Sequence, residues 1–182
     1  MRKKLIIFID SGDTLVDESS EVRETPGGIV MRANLIPGAE ELLHKLRERG
    51  FTVALVADGL TESFYRSYCP YFGEMPFDAV VTSEEVGEEK PSPRMFQRAM
   101  DLLRLTDEDK NRILMAGNNL GRDICGANRF GIRSALMTWT PRYRMEPESS
   151  DEMPDYRVEE PLALLDLAEK LEMKLYEREG TP

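Results

Sequence analysis

Residues Leu5–Ile9, LIIFI, form an apolar run of mostly branched side chains that ends at Asp10. A strand with one face in water alternates polar and apolar residues. A run without alternation belongs to a strand covered on both faces, as in a parallel sheet with helices on either side. Runs of the same kind recur at Phe51–Ala57 (FTVALVA), Phe77–Thr82 (FDAVVT), Arg112–Ala116 (RILMA) and Ser134–Trp139 (SALMTW). Segments of helical period separate them. Residues 38–49 carry the stripe Leu42, Leu43 and Leu46, and Gly50 closes them. Residues 60–73 read as helix up to Pro70, with Thr61 as N-cap. Residues 91–105 run through Met95, Phe96, Met100 and Leu103, and 123–130 end at Gly131. Residues 16–36 are polar, contain Gly27-Gly28, and read as an irregular flap or hairpin. A Pro- and Glu-rich loop (141–154) leads to Tyr156-Arg157-Val158, a terminal helix over 161–177 and a frayed tail over 178–182. Alternating strands and helices predict an α/β fold, a doubly wound parallel sheet in one domain over residues 1–182.

Composition narrows the function. A net charge of −10 disfavours nucleic acid, whose phosphates most of the surface would repel, and no basic stripe offsets it. The two cysteines, Cys69 and Cys125, stand in unrelated contexts, which points to a reducing compartment. The run after Met1-Arg2-Lys3-Lys4 is too short for a signal peptide's apolar core, and no stretch reaches membrane length. The expectation is a cytoplasmic protein without membrane contact. The single histidine, His44, lies in the helix over 38–49 as a surface or boundary residue. Chemistry built on paired histidines, or on a Ser-His triad, is nearly excluded by that count.

Four features fall at strand ends or helix starts. They are Asp10, then Ala57-Asp58-Gly59, then Lys90-Pro91, then Gly117-Asn118 through Asp123. A carboxylate at the carboxyl end of a central strand sits where open α/β sheets place their ligands. Such a carboxylate can attack phosphorus and form an aspartyl phosphate, splitting one hard step into two. Two anions then meet, so a lysine and a hard divalent ion with oxygen ligands are needed. The order and spacing of the four features resemble motifs one to four of the haloacid dehalogenase-like (HAD) superfamily. In that family the first motif is an apolar strand followed by Asp, any residue, Asp, Gly, Thr, Leu. Here it reads Asp10-Ser11-Gly12-Asp13-Thr14-Leu15, with the second Asp and the Gly exchanged.

The resemblance implies a Mg²⁺-dependent phosphatase with Asp10 as nucleophile and Lys90 as its cation. The phosphate would meet Asp58, Gly59 and Lys90. The metal would be held by Asp10, the Gly12 backbone carbonyl, Asn118 and Asp123, the last doubling as a helix cap. Gly12 stands where family phosphatases carry the aspartate that protonates the leaving oxygen, a contribution of about 10²–10⁴ in rate. Asp13 would point to the other side in extended geometry, and Gly12 would take the left-handed backbone. Ala57 replaces a phosphate-binding hydroxyl. Asn118 replaces a metal-binding Asp, so weak metal affinity is expected.

The stretches Asp10–Asp58 and Asp58–Lys90 leave no room for a cap domain. An open site is expected, suited to a large substrate or completed by a neighbouring subunit of a homo-oligomer. Enclosed dehalogenase or phosphonatase chemistry is disfavoured. Arg142 and Arg144, in Trp139–Arg144, either bind an anionic part of the substrate or pair with Glu146, Glu148 and Asp151. The alternative to a phosphatase is a catalytically weak or inactive protein of the same fold that binds a phosphorylated ligand or a protein partner.

Overall fold

A computed structural model describes residues 4–179, so the expectation for the tail beyond Glu179 lies outside the described residues. The strands are β1 (Ile6–Ile9), β2 (Val16–Arg23), β3 (Val30–Leu35), β4 (Thr52–Ala57), β5 (Ala79–Thr82), β6 (Ile113–Gly117), β7 (Arg133–Met137) and β8 (Tyr156–Val158). The helices are α1 (Ala39–Glu48), α2 (Thr61–Phe72), α3 (Ser83–Val86), α4 (Pro93–Leu102), α5 (Cys125–Phe130) and α6 (Pro161–Glu179). Six strands form one parallel sheet in the order β5-β4-β1-β6-β7-β8. The chain winds outward from β1 through β4 to β5, then returns across β1 to start again at β6. The crevice at the carboxyl ends of β1 and β6 is therefore the switch point where such sheets bind ligands.

Both faces of the sheet are covered, which accounts for the unalternated runs. Leu5, Ile7 and Ile9 pack with residues of α1, α2 and α6 on one side. Ile6 and Phe8 pack with Met95, Phe96, Ala99 and Met100 of α4 and Ala127 of α5 on the other. The same division holds in β4 and β6, where Leu55 and Ala116 face the first layer and Val56 and Met115 the second. Ser92 caps α4 by accepting the Arg94 N–H, and Pro93 follows at the first helical position, where its missing N–H costs nothing.

The stretch read as an irregular flap or hairpin is an antiparallel hairpin of β2 and β3, with register shifts between Asp17 and Val22 and between Val22 and Arg23. Three local expectations need adjustment. Thr61 is not a cap: α2 begins at Thr61 after the extended residue Leu60. The Thr61 N–H is met by the Glu84 carboxylate at 2.8 Å, and its hydroxyl by Thr82 at 2.7 Å. α2 also continues through Pro70 to Phe72, because only the last, exposed turn loses a hydrogen bond there. The helix expected from Asp123 begins as a π-helical turn at Leu120–Ile124 before α5. α3 is too short for its period to be read from sequence.

Between Asp10 and Lys90 the chain holds only this hairpin, α1, β4, α2, β5 and α3, so no cap is inserted there among the described residues. Nor is any helix among them long and apolar enough to cross a membrane. Phe8 is fully buried at the sheet's centre. Phe8→Ala should cost about 3–5 kcal/mol in denaturant titrations, whereas Met173→Ser at an exposed position should stay within about 0.5 kcal/mol.

Candidate active site

The site forms where four loops leave the carboxyl ends of β1, β4, β5 and β6. Past β1 the chain turns at once: the Leu15 and Val16 N–H groups both donate to the Ser11 carbonyl, at 2.8 and 2.9 Å. The left-handed residue of this turn is Asp13, with φ 47°, and not Gly12. Asp13 is turned away from the recess and fully buried. Its carboxylate accepts the Glu18 N–H at 3.1 Å and pairs with Arg142. Ser11 shares a 2.9 Å hydrogen bond with the buried Tyr68 hydroxyl, which ties the turn to α2.

Lys90 is the hub. Its ammonium lies 2.6 Å from Asp10 Oδ1, 2.7 Å from Asp123 Oδ1 and 2.9 Å from the Val56 carbonyl. All three of its donors are used. Burial alone would push this lysine toward neutrality, but the carboxylates of Asp10, Asp123 and Asp58 outweigh it and hold the group above its ordinary value, as an ammonium. Asp123 is fully buried, and burial raises its carboxyl above the usual range, with Asp10 adding in the same direction. Lys90 and the Asn119 N–H, at 3.0 Å from Oδ2, act against that rise. Asp123 approaches so closely because residue 117 is glycine: a Cβ there would lie 2.7 Å from the Asp123 Cβ and collide with its carboxylate.

The remaining expected residues are placed as follows. Asp58 serves the scaffold: Oδ1 accepts the Lys90 N–H at 2.9 Å, and Oδ2 faces Arg122 at 3.3 Å. Gly59 donates its N–H to Ser83 at 2.9 Å and lies outside the central recess. Arg142 also lies outside it, bonded to Asp13 and 3.6 Å from Glu18 Oε2. Arg144 pairs instead with Glu148 and Glu152 at the surface. Asn118 is buried, and its amide nitrogen has no partner.

The central recess measures about 50 Å³ and is lined by Asp10, Gly12, Glu18, Asp58, Lys90, Asn118, Asn119, Arg122, Asp123 and Tyr143. Sequence reasoning missed Glu18 and Arg122, whereas Tyr143 belongs to Trp139–Arg144, the stretch whose two arginines and two aromatics were read as a candidate substrate contact. Arg122 lies inside the fourth motif and was there to be read; it also reaches Glu89 at 3.3 Å. Tyr143 bonds Glu18 Oε2 at 3.4 Å. Burial, then the charges of Asp13 and Asp10, raise the Glu18 carboxyl above its ordinary value. No motif marks Glu18, which arrives from the hairpin.

The lining holds four carboxylates (Asp10, Glu18, Asp58, Asp123) against two cations (Lys90, Arg122). An incoming phosphate dianion would worsen that imbalance, so further positive charge is required. Among the described residues no group of three or more His, Cys, Asp or Glu side chains is gathered for a metal. A divalent ion would depend on neutral oxygens as well. The donor set fits a hard ion through its oxygens: carboxylates, a backbone carbonyl and the Asn118 side-chain oxygen, all from residues that line the recess.

Lys90→Met should cost about 3–5 kcal/mol in denaturant midpoint, because it leaves Asp10 and Asp123 buried without a counter-charge. Asp123→Asn added to it should recover part of the loss. A cost below about 1 kcal/mol would mean that the network is not formed.

Residues 16–137 match the family model described as haloacid dehalogenase-like hydrolase. The chain is 34% identical to a glyceraldehyde 3-phosphate phosphatase of Methanopyrus kandleri over 139 residues, 74% of this chain and 57% of that relative. It spans about half the length of the curated relatives it matches. Among solved structures, a protein from Listeria monocytogenes serotype 4b superposes with a TM-score of 0.66 at 26% identity, over 91% of this chain and 99% of that one. The putative HAD-hydrolase YfnB from Bacillus subtilis, bound to magnesium, superposes with a TM-score of 0.61 at 24% identity, over 74% of this chain and 56% of that one.

Proposed function

Because this chain belongs to the haloacid dehalogenase-like hydrolase family, we propose that it is a Mg²⁺-dependent phosphatase that cleaves phosphoric monoesters through an aspartyl phosphate on Asp10. The observation that carries the reading is the Asp10 carboxylate at the end of β1, with Oδ1 held 2.6 Å from a buried ammonium. Lys90 occupies Oδ1, so attack on phosphorus falls to Oδ2. The P–O bond to the leaving group breaks as the bond to Asp10 forms, and water then cleaves the aspartyl phosphate to inorganic phosphate. Asp123 holds Lys90 in place through the first step and the second. Asp10, the Gly12 carbonyl, Asn118 and Asp123 would hold Mg²⁺, which when bound supplies the positive charge that lets two anions meet.

The shallow recess, with no cap over it among the described residues, suits a phosphoryl group presented by a large substrate or enclosed by a second subunit. Relatives named as glyceraldehyde 3-phosphate phosphatase and phosphoserine phosphatase support the reaction class and leave the substrate open. Arg122 is half-exposed at the rim. It is the group placed to meet the phosphate once drawn off Asp58 and Glu89.

A panel of phosphomonoesters assayed with Mg²⁺ should reveal turnover that Asp10→Asn abolishes. Asp10→Asn as active as the parent would overturn the mechanism, and a silent parent that still binds phosphorylated ligands in calorimetry would establish the binding-protein alternative. In the same instrument Mg²⁺ should bind the parent weakly and Asn118→Asp more tightly, because the site gains an anionic oxygen. Unchanged or weaker binding would remove Asn118 from the ligand set.

A further inference from the structure

Both steps of this reaction move a proton: one to the leaving oxygen, and one from the attacking water. The residues first expected near Asp10 cannot supply it. All three Lys90 donors are taken, Asp123 is bonded through both oxygens, and so is Asp58. Asp13 faces Arg142, and residue 12 has no side chain. Glu18 is the carboxyl group left over in the recess lining.

Its position is specific. A Cβ built on Gly12 would lie 2.8 Å from the Glu18 Cδ and 3.1 Å from its Cγ, and would overlap its carboxylate at Oε1. Glu18 therefore fills the space that a side chain at position 12 would enter, two residues after the nucleophile. Its other oxygen, Oε2, is anchored 3.4 Å from the Tyr143 hydroxyl and 3.6 Å from Arg142. Its backbone N–H is held by Asp13. Glu18 follows Asp17, where the register of β2 on β3 shifts, so the irregularity falls at the stretch of hairpin beside the recess.

From this geometry we infer that Glu18 is the proton-transfer residue of the reaction, replacing from the hairpin what position 12 lacks. The inference rests on the phosphatase reading above. In the first step Asp10 Oδ2 bonds to phosphorus, the ester P–O bond breaks, and the departing oxygen takes the proton of the Glu18 carboxyl. In the second step the Glu18 carboxylate takes a proton from water as the water oxygen bonds to phosphorus. The P–O bond to Asp10 breaks, inorganic phosphate leaves, and Glu18 is again protonated for the next cycle.

Steady-state kinetics of Glu18→Gln on an alkyl phosphate and on 4-nitrophenyl phosphate, with Mg²⁺, test this together with acid-quench trapping of the phosphoenzyme. Turnover of the alkyl phosphate should fall by about 10²–10⁴. Phosphorylation by nitrophenyl phosphate, whose leaving oxygen needs no proton, should be nearly unaffected, so phosphoenzyme on Asp10 should accumulate in a burst. The paired variant Gly12→Asp/Glu18→Ala moves the carboxyl group to the vacated space and should recover much of the alkyl phosphate activity. Its melting temperature reports whether it has folded. Alkyl phosphate turnover within about threefold of the parent in Glu18→Gln would overturn the inference and leave the phosphatase reading intact. A matching loss of Mg²⁺ affinity in Glu18→Gln would overturn it too, by making Glu18 a metal ligand. A parent with neither turnover nor phosphoenzyme would overturn both.

Discussion

A lysine ammonium with almost no contact with water sits between Asp10 and Asp123, and the geometry of the site follows from it. Taking such a charge out of water costs several kcal/mol, which is recovered only when every donor finds an acceptor of opposite or partial negative charge. Lys90 meets that condition through two carboxylates and the Val56 carbonyl. Those acceptors come from β1, from the turn after β6 and from β4. The same lysine's backbone N–H is held by Asp58 from the loop after β4. One residue therefore draws three separate chain segments, the ends of β1 and β4 and the turn after β6, to its own loop, and the buried carboxylates that would repel one another are bridged.

A second layer of charge surrounds the first. Asp13 takes the left-handed conformation in the turn with its carboxylate in the interior, while Gly12 lines the recess. Arg142, from the loop after β7, closes over that carboxylate and also approaches Glu18. The exchange of Asp and Gly in the first motif thus has a structural counterpart. The carboxylate at position 13 becomes an anchor for the distant loop, and the space above position 12 is taken by the hairpin. The recess remains rich in carboxylates, which ties any phosphate chemistry there to an added divalent cation.

Much of this was legible in the linear chain. The run Leu5–Ile9 implied a strand buried on both faces, and the structure places Ile7 under α1 and Phe8 against α4. The motif order implied that Asp10, Lys90, Asn118 and Asp123 would meet, and all four line one recess. Residue type and local period suffice for such readings, because strand burial and helix stripes are properties of neighbours along the chain.

Other features depend on residues far apart in sequence. Arg142, Asp58 and Glu18 are paired across 129, 32 and 125 residues: Arg142 with Asp13, Asp58 with Lys90, Glu18 with Tyr143. No local pattern announces a glutamate whose carboxylate fills the volume beside a glycine six positions earlier. That depends on how the hairpin's register shifts and which side of the turn it covers. The sequence by itself determined the sheet, its two covered faces and the meeting of Asp10 and Lys90, since strand ends carry their side chains wherever the sheet puts them. Only the tertiary structure decided which partners hold each of the four carboxylates that line the recess, because saturation of donors and acceptors is settled by distances in space.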